Sequence, residues 1–313
     1  MKWATYRSNI PGDSTDRVGL LLDGSLHALD LGTRLIDLLG DDGTRLRLAG
    51  ERARNSPTDV LPLAQARMRP PIPNPPAIRD FSSFVEHYRA GIIAIGKSFD
   101  ENWYGAPVFY FSNPNALVAD GDVVRIPGET RRMDYELEIG AVIGRECIDL
   151  DPAEAESAIA GYCIYNDWSA RDLQFDEMAR APIGPAKGKD SANGLGPFLV
   201  TPDELEDVRK DRGYDLAMTA SVNGVEYSRG TWSSIYWSFA EMLAYASRNA
   251  RLVPGDIIGS GTVGTGCILE LAASHGADRF PWLKEGDEVV LEIERLGALR
   301  NHIVTGARAK PLR

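Results

Sequence analysis

Glu136 and Glu138 alternate with apolar residues in Tyr135-Glu136-Leu137-Glu138-Ile139, and the stretch continues through Gly140 into Ala141-Val142-Ile143-Gly144. Residues two apart on a strand point to the same face. The spacing therefore sets two carboxylates side by side, where like charges repel. On an edge strand such a pair is an ordinary acidic surface. Here the apolar run that follows must enter a core, and a third acid, Asp167, ends another strand-like run at 161–167. Three oxygen donors converging on one point suit a hard divalent cation, and a cation turns the repulsion into a reason for proximity.

Other reactive residue types lie close to these acids in sequence. Asp167 opens Asp167-Trp168-Ser169-Ala170-Arg171-Asp172-Leu173-Gln174. Ser169 predicts a helix start, with Arg171 and Gln174, three apart, on one face; the plain alternative is a solvated helix whose Arg171 pairs with a carboxylate. Lys189 sits in a Gly-rich segment at 184–198 and is by default a surface lysine. Around Thr262 a run of glycines lets backbone approach a ligand closely, but no Gly-Lys-Ser/Thr follows, so it is no phosphate-binding P-loop. His87 closes Ser82-Ser83-Phe84-Val85-Glu86-His87, in which Ser83 and Glu86 have capping-box spacing. Glu270, between apolar residues in Ile268-Leu269-Glu270-Leu271, is a costly buried acid unless it is paired.

The elements that must carry these groups are mostly strands. Asp23-Gly24 and Asn223-Gly224 read as tight hairpin turns. Helices are expected at 151–162 and 234–250, the second with a core-facing apolar stripe. Five prolines between 70 and 76 form a stiff connector at 70–77, which divides a small β-rich N-terminal domain at 1–69 from a body at 78–313. Many strands, few helices and no strand–helix–strand rhythm exclude a Rossmann or TIM arrangement. The fold class is mixed α+β, mainly β.

The 313 residues are 43% hydrophobic and 25% charged, as in a soluble globular protein. A formal net charge of -11 disfavours nucleic acid and anionic membrane as partners. Cys147, Cys163 and Cys267 form no C-x-x-C pair, which argues against a structural zinc site or a disulfide framework. With a polar N-terminus and no long apolar run, the expected location is the cytoplasm.

In order along the chain, 80–87, 135–140, 166–174, 188–190, 259–262 and 268–271 resemble the motifs of the fumarylacetoacetate hydrolase family. The resemblance implies a β-roll body, a homodimer, and Mg2+ (or Mn2+ or Ca2+) held by Glu136, Glu138, Asp167 and Asp80. It implies His87 as general base oriented by Glu270, with Lys189, Gln174 and Arg171 stabilising an oxyanion. Tyr110 and Thr262 match contacts on the substrate or metal side. Where fumarylacetoacetate hydrolase itself has an arginine and two tyrosines around its substrate, this chain has Ile95, Ser82 and Met178. The implied activity is hydrolysis of a carbon–carbon bond in a small β-diketone acid, of the acylpyruvate or fumarylacetoacetate type. A 2-oxo-acid decarboxylase or isomerase on the same scaffold stays open, as does a non-enzymatic binding protein.

Overall fold

The strand Leu137–Ile143 is buried along its whole length. Its alternation sends Leu137, Ile139, Ala141 and Ile143 into one hydrophobic core and Val142 into a second, with Cys163, Tyr165, Leu195 and Ile257. A strand buried on both faces belongs in the middle of a sheet. It lies between Ile159–Asp167 and Ile257–Gly259, both antiparallel to it. The computed structural model describes residues 1–10, 12–181 and 183–311.

The large sheet extends in both directions from this centre. Beyond Ile257–Gly259 come Ile78–Phe81 and Phe109–Ser112; beyond Ile159–Asp167 come Asn193–Val200 and then Lys2–Ser8. Lys2 pairs with Val200 and Trp3 with Leu199. The sheet thus runs without a break from the body into the N-terminal strands, across the expected division at 70–77. The proline-rich stretch itself has no regular structure. A second sheet of five strands, Val123–Ile126 and four between Ala217 and Thr305, packs beside the first. The fold is mixed and mostly strand.

Both expected hairpin turns form: Leu22 faces Ser25 and Val222 faces Val225, with Asp23 and Asn223 in the left-handed region that these residues tolerate. The helices differ from expectation. The helix expected at 234–250 spans Phe239–Ala246, started by a capping box between Ser238 and Glu241. The one expected at 151–162 is a single turn, Pro152–Ala155, and a 3-10 turn; from Ile159 onward the chain is strand. Ser83 is no N-cap. Phe84 holds that position before the helix Val85–Ala94, because the buried Ser83 hydroxyl donates instead to the Ser260 carbonyl. Ser169 belongs to a short strand paired with Met133–Asp134, and the helix begins at Arg171. No helix among the described residues is long and apolar enough to cross a membrane.

Candidate active site

Four strand ends meet at one edge of the cavity. Asp167 ends Ile159–Asp167, Glu138 lies on Leu137–Ile143, and Asp80 lies on Ile78–Phe81. Between the last two runs Ile257–Gly259, with Gly259 level with Asp80. A Cβ on Gly259 would sit 2.4 Å from Asp80 Oδ1, so only glycine lets that carboxylate reach its neighbours. Ligand oxygens of Asp80, Glu138 and Asp167 all lie within 4.8 Å of one another. The three side chains are buried, and Asp80 Oδ1 and Asp167 Oδ1 accept no hydrogen bond.

Burial pushes Glu138 and Asp167 well above the usual carboxylate range, and the neighbouring acids add to it. Asp80 is raised by burial in the same way. Glu138 is nevertheless anchored: it accepts from Gly261 N–H at 2.9 Å and from the Thr262 hydroxyl at 3.3 Å. Gly261 adopts φ +76°, and a Cβ there would meet the Phe81 carbonyl oxygen at 2.4 Å. The Tyr110 hydroxyl contacts both Asp80, at 2.8 Å, and Asp167. A phenol has one proton to donate, so it cannot satisfy both carboxylates at once. Buried carboxylate oxygens without partners, crowded by like charges, are the donor set a hard divalent cation fits.

Glu136, expected in the same ligand group, lies outside this cluster. Its oxygens are engaged by Arg171 Nη2 at 2.7 Å and by Lys189. Burial alone would raise its pKa; Arg171 and Lys189 overcome that and hold it well below the usual range. Lys189 bridges Glu136 and Asp167 and is buried, not the surface lysine its Gly-rich context suggests. Its position depends on the preceding residue: a Cβ on Gly188 would lie 2.6 Å from the backbone of Gln174, so the turn Lys187–Lys189 rests directly on the helix Arg171–Arg180. Arg171 Nη1 donates to Gln174 Oε1 at 3.2 Å. With its carbonyl occupied, Gln174 keeps its amide N–H groups for another acceptor.

Opposite the acids, His87 on Val85–Ala94 donates from Nδ1 to Glu270 Oε1, on Ile268–His275. Glu270 Oε2 accepts from Thr265 N–H at 3.0 Å. The bond at Nδ1 leaves Nε2 as the basic nitrogen; it lies 3.8 Å from Glu136 Oε1, at the cavity wall. The cavity holds about 270 Å³. Its lining includes Asp80, His87, Tyr110, Glu136, Glu138, Arg171, Gln174, Lys189 and Thr262, together with Ser82, Ile95 and Met178.

The structure adds residues that the sequence reading passed over. Cys267 places its thiol 3.8 Å from Glu270 and 4.0 Å from His87 Nδ1. Asp134 accepts from Arg171 Nε at 2.8 Å and caps Ile268 N–H at 2.7 Å and Leu269 N–H at 3.1 Å. It thereby fixes both the arginine and the helix that carries Glu270. The signal was present: Asp134, Glu136 and Glu138 share one period of two. Arg171 would keep Glu136, but losing Asp134 removes one of its two buried carboxylates and leaves the Ile268 and Leu269 N–H groups without their acceptor, together about 3–5 kcal/mol. Asp134→Ala is expected to lose about that much unfolding free energy in urea denaturation of the metal-free protein. A loss under about 1 kcal/mol, the level of an exposed pair, would show that Arg171 does not depend on it.

Residues 77–304 match the family model described as the fumarylacetoacetate hydrolase C-terminal region. A Burkholderia cenocepacia protein named only as a candidate hydrolase is 31% identical over 285 residues, spanning 88% of this chain and 91% of its own. Among solved structures, maleylpyruvate hydrolase from Sphingobium sp. SYK-6, in complex with manganese(II) and pyruvate, aligns with TM-score 0.72 at 22% identity, over 98% of this chain and 100% of that one. A 2-hydroxyhepta-2,4-diene-1,7-dioate isomerase from Mycobacterium marinum aligns with TM-score 0.67 at 24% identity, over the same shares. At these identities the two structures speak for the fold, and they carry different chemistries on it.

Proposed function

Because this chain belongs to the fumarylacetoacetate hydrolase family, we propose that it hydrolyses a carbon–carbon bond in a small β-diketone acid of the acylpyruvate type. One observation carries the reading: a His–carboxylate dyad faces, across one cavity, a buried carboxylate cluster with unpartnered oxygens. Asp80, Glu138 and Asp167 would hold a divalent ion, Mg2+ or Mn2+, with Glu136 adjoining. Such an ion supplies Lewis-acid stabilisation to the oxygens of the pyruvyl end.

The chain's own residues account for the other half. His87 Nε2 accepts a proton from water while Glu270 holds Nδ1 and stabilises the imidazolium that forms. The resulting hydroxide adds to the carbonyl remote from the carboxylate cluster. Lys189 has three N–H donors, of which Glu136 and Asp167 take two. The third, with the Gln174 amide, is placed to receive the developing oxyanion; losing one such donor costs ~10²–10³ in rate. The bond from that carbon to the methylene carbon breaks, its electron pair leaves with the pyruvyl enolate, and a proton returned to carbon gives the keto acid.

Purified protein loaded with Mg2+ or Mn2+ is expected to cleave acylpyruvates and to leave oxaloacetate intact. Decarboxylation of oxaloacetate with no cleavage of any acylpyruvate would replace hydrolysis by the decarboxylase reading, which needs no water-activating base.

A further inference from the structure

We infer that the outer half of the cavity selects a neutral, apolar acyl group and rejects a substrate with a second carboxylate. The inference rests on the reaction proposed above and adds the substrate class. The apolar part of the lining is made by Tyr88, Ile92, Ile95, Phe175, Met178 and Leu269. Among the described lining residues the cations are Arg171 and Lys189. Both are committed to the inner carboxylates, Arg171 to Asp134 and Glu136, Lys189 to Glu136 and Asp167.

Three cations of the flanking elements have other partners. Arg89 lies over the Phe99 ring, 4.7 Å from its centroid, and reaches the Tyr104 hydroxyl at 3.4 Å. Arg180 pairs with Asp176 at 2.6 Å, and Lys187 pairs with Asp190. Lys97 is exposed and outside the lining. A distal carboxylate would therefore exchange water for hydrocarbon without a cation, a desolvation that goes unreturned. An alkyl or aryl end instead covers Ile92, Phe175 and the half-exposed Met178, removing apolar surface from water.

Two substrates that differ only at the far end decide it: an unbranched alkyl acylpyruvate and its terminal carboxylate analogue. In the wild-type protein kcat/KM is expected to favour the alkyl substrate by at least ~10-fold, since one charge-assisted hydrogen bond is worth that much or more. Ile95→Arg puts a guanidinium in the cavity lining, at the half-exposed C-terminal end of the helix Val85–Ala94. It is expected to shrink or invert the ratio by ~10-fold with an unchanged Tm, and Lys97→Ala is expected to leave the ratio as it is. A wild-type preference for the carboxylate analogue, or a ratio that Ile95→Arg leaves unchanged, would overturn the inference. So would a ratio that moves with Lys97→Ala, because the lysine would then be supplying the charge. If neither acid is cleaved, the reaction proposed above fails. The inference about the wall is then read from the Kd ratio of the same two acids, by calorimetry on the Mn2+-loaded protein, with the same outcomes.

Discussion

Glu138→Gln is expected to abolish measurable Mg2+ and Mn2+ binding, a loss of at least ~100-fold in affinity, while raising the stability of the metal-free protein. Loss of an indirect support to a metal site already costs ~10–100-fold, and a direct ligand should cost more. Glu138 is anchored on the glycine turn: its oxygens accept from Gly261 N–H and the Thr262 hydroxyl. A glutamine retains one acceptor oxygen for those donors, so the strand and the glycine turn stay in place. What changes is the charge. Glu138 sits buried within reach of Asp80 and Asp167, and removing one of three crowded carboxylates relieves repulsion in a medium where it is poorly screened. The new amide also has two N–H groups, and Asp80 Oδ1 and Asp167 Oδ1 are the orphan acceptors beside it. Isothermal calorimetry reads the affinity and thermal unfolding reads the stability. Unchanged metal affinity would remove Glu138 from the ligand set. Lost affinity with a lowered metal-free Tm would mean that the carboxylate is a structural acceptor whose charge the fold requires.

Glu136 frames a second comparison. It shares the strand alternation of Glu138, yet its two oxygens are held by Arg171 and Lys189. Glu136→Gln weakens two charge-assisted bonds and leaves both cations with less compensation. It is therefore expected to lower the metal-free Tm, opposite in sign to Glu138→Gln, by several degrees. Differential scanning of the two variants side by side checks the sign, and a rise for both would show that the inner cations do not depend on Glu136.

The legibility of this site in the sequence follows the range over which each residue's environment is set. Glu136 and Glu138 were readable as a co-facing pair because strand alternation is a local rule, and the apolar residues after them announced a buried strand. The division of labour between them was not readable. It depends on Arg171 and Lys189, 35 and 53 residues away, and on Asp80 reaching over Gly259 from another strand. Lys189 illustrates the limit most clearly. Its neighbours are glycine and small polar residues, which locally mean an exposed loop, and only the seating of Gly188 against Gln174 takes it inside. His87 and Glu270, 183 residues apart, were linked by resemblance to a known family and by the cost of leaving Glu270 unpaired. The helix starts were misread for a related reason. Ser83 and Ser169 have the composition of caps, but each is drawn into a tertiary hydrogen bond or strand pairing that outweighs the cap. At Ser238 no such competitor exists, and the capping box forms.

His87→Ala is expected to lower kcat by ~10²–10⁴, the usual contribution of a general base, with little change in metal affinity. Glu270→Gln is expected to lower kcat through the same step, because Glu270 touches the substrate only through His87. A glutamine at 270 can still accept from His87 Nδ1 or from Thr265 N–H, but it is neutral and no longer stabilises the imidazolium. The double variant should therefore be hardly slower than His87→Ala alone, since groups that act as a unit give grossly non-additive losses. The thiol of Cys267, 3.8 Å from Glu270, offers a control on geometry: Cys267→Ala trims a wall of the dyad without touching its charge, and should cost well under ~10-fold. Single-turnover rates on an acylpyruvate, with Mn2+ saturation checked for every variant, measure all four. Multiplicative losses from His87→Ala and Glu270→Gln would dissolve the dyad into two independent roles. Turnover of the true substrate unaffected by His87→Ala would remove water activation altogether. The decarboxylase and isomerase readings would then stand, because either can use the carboxylate cluster while leaving His87 idle.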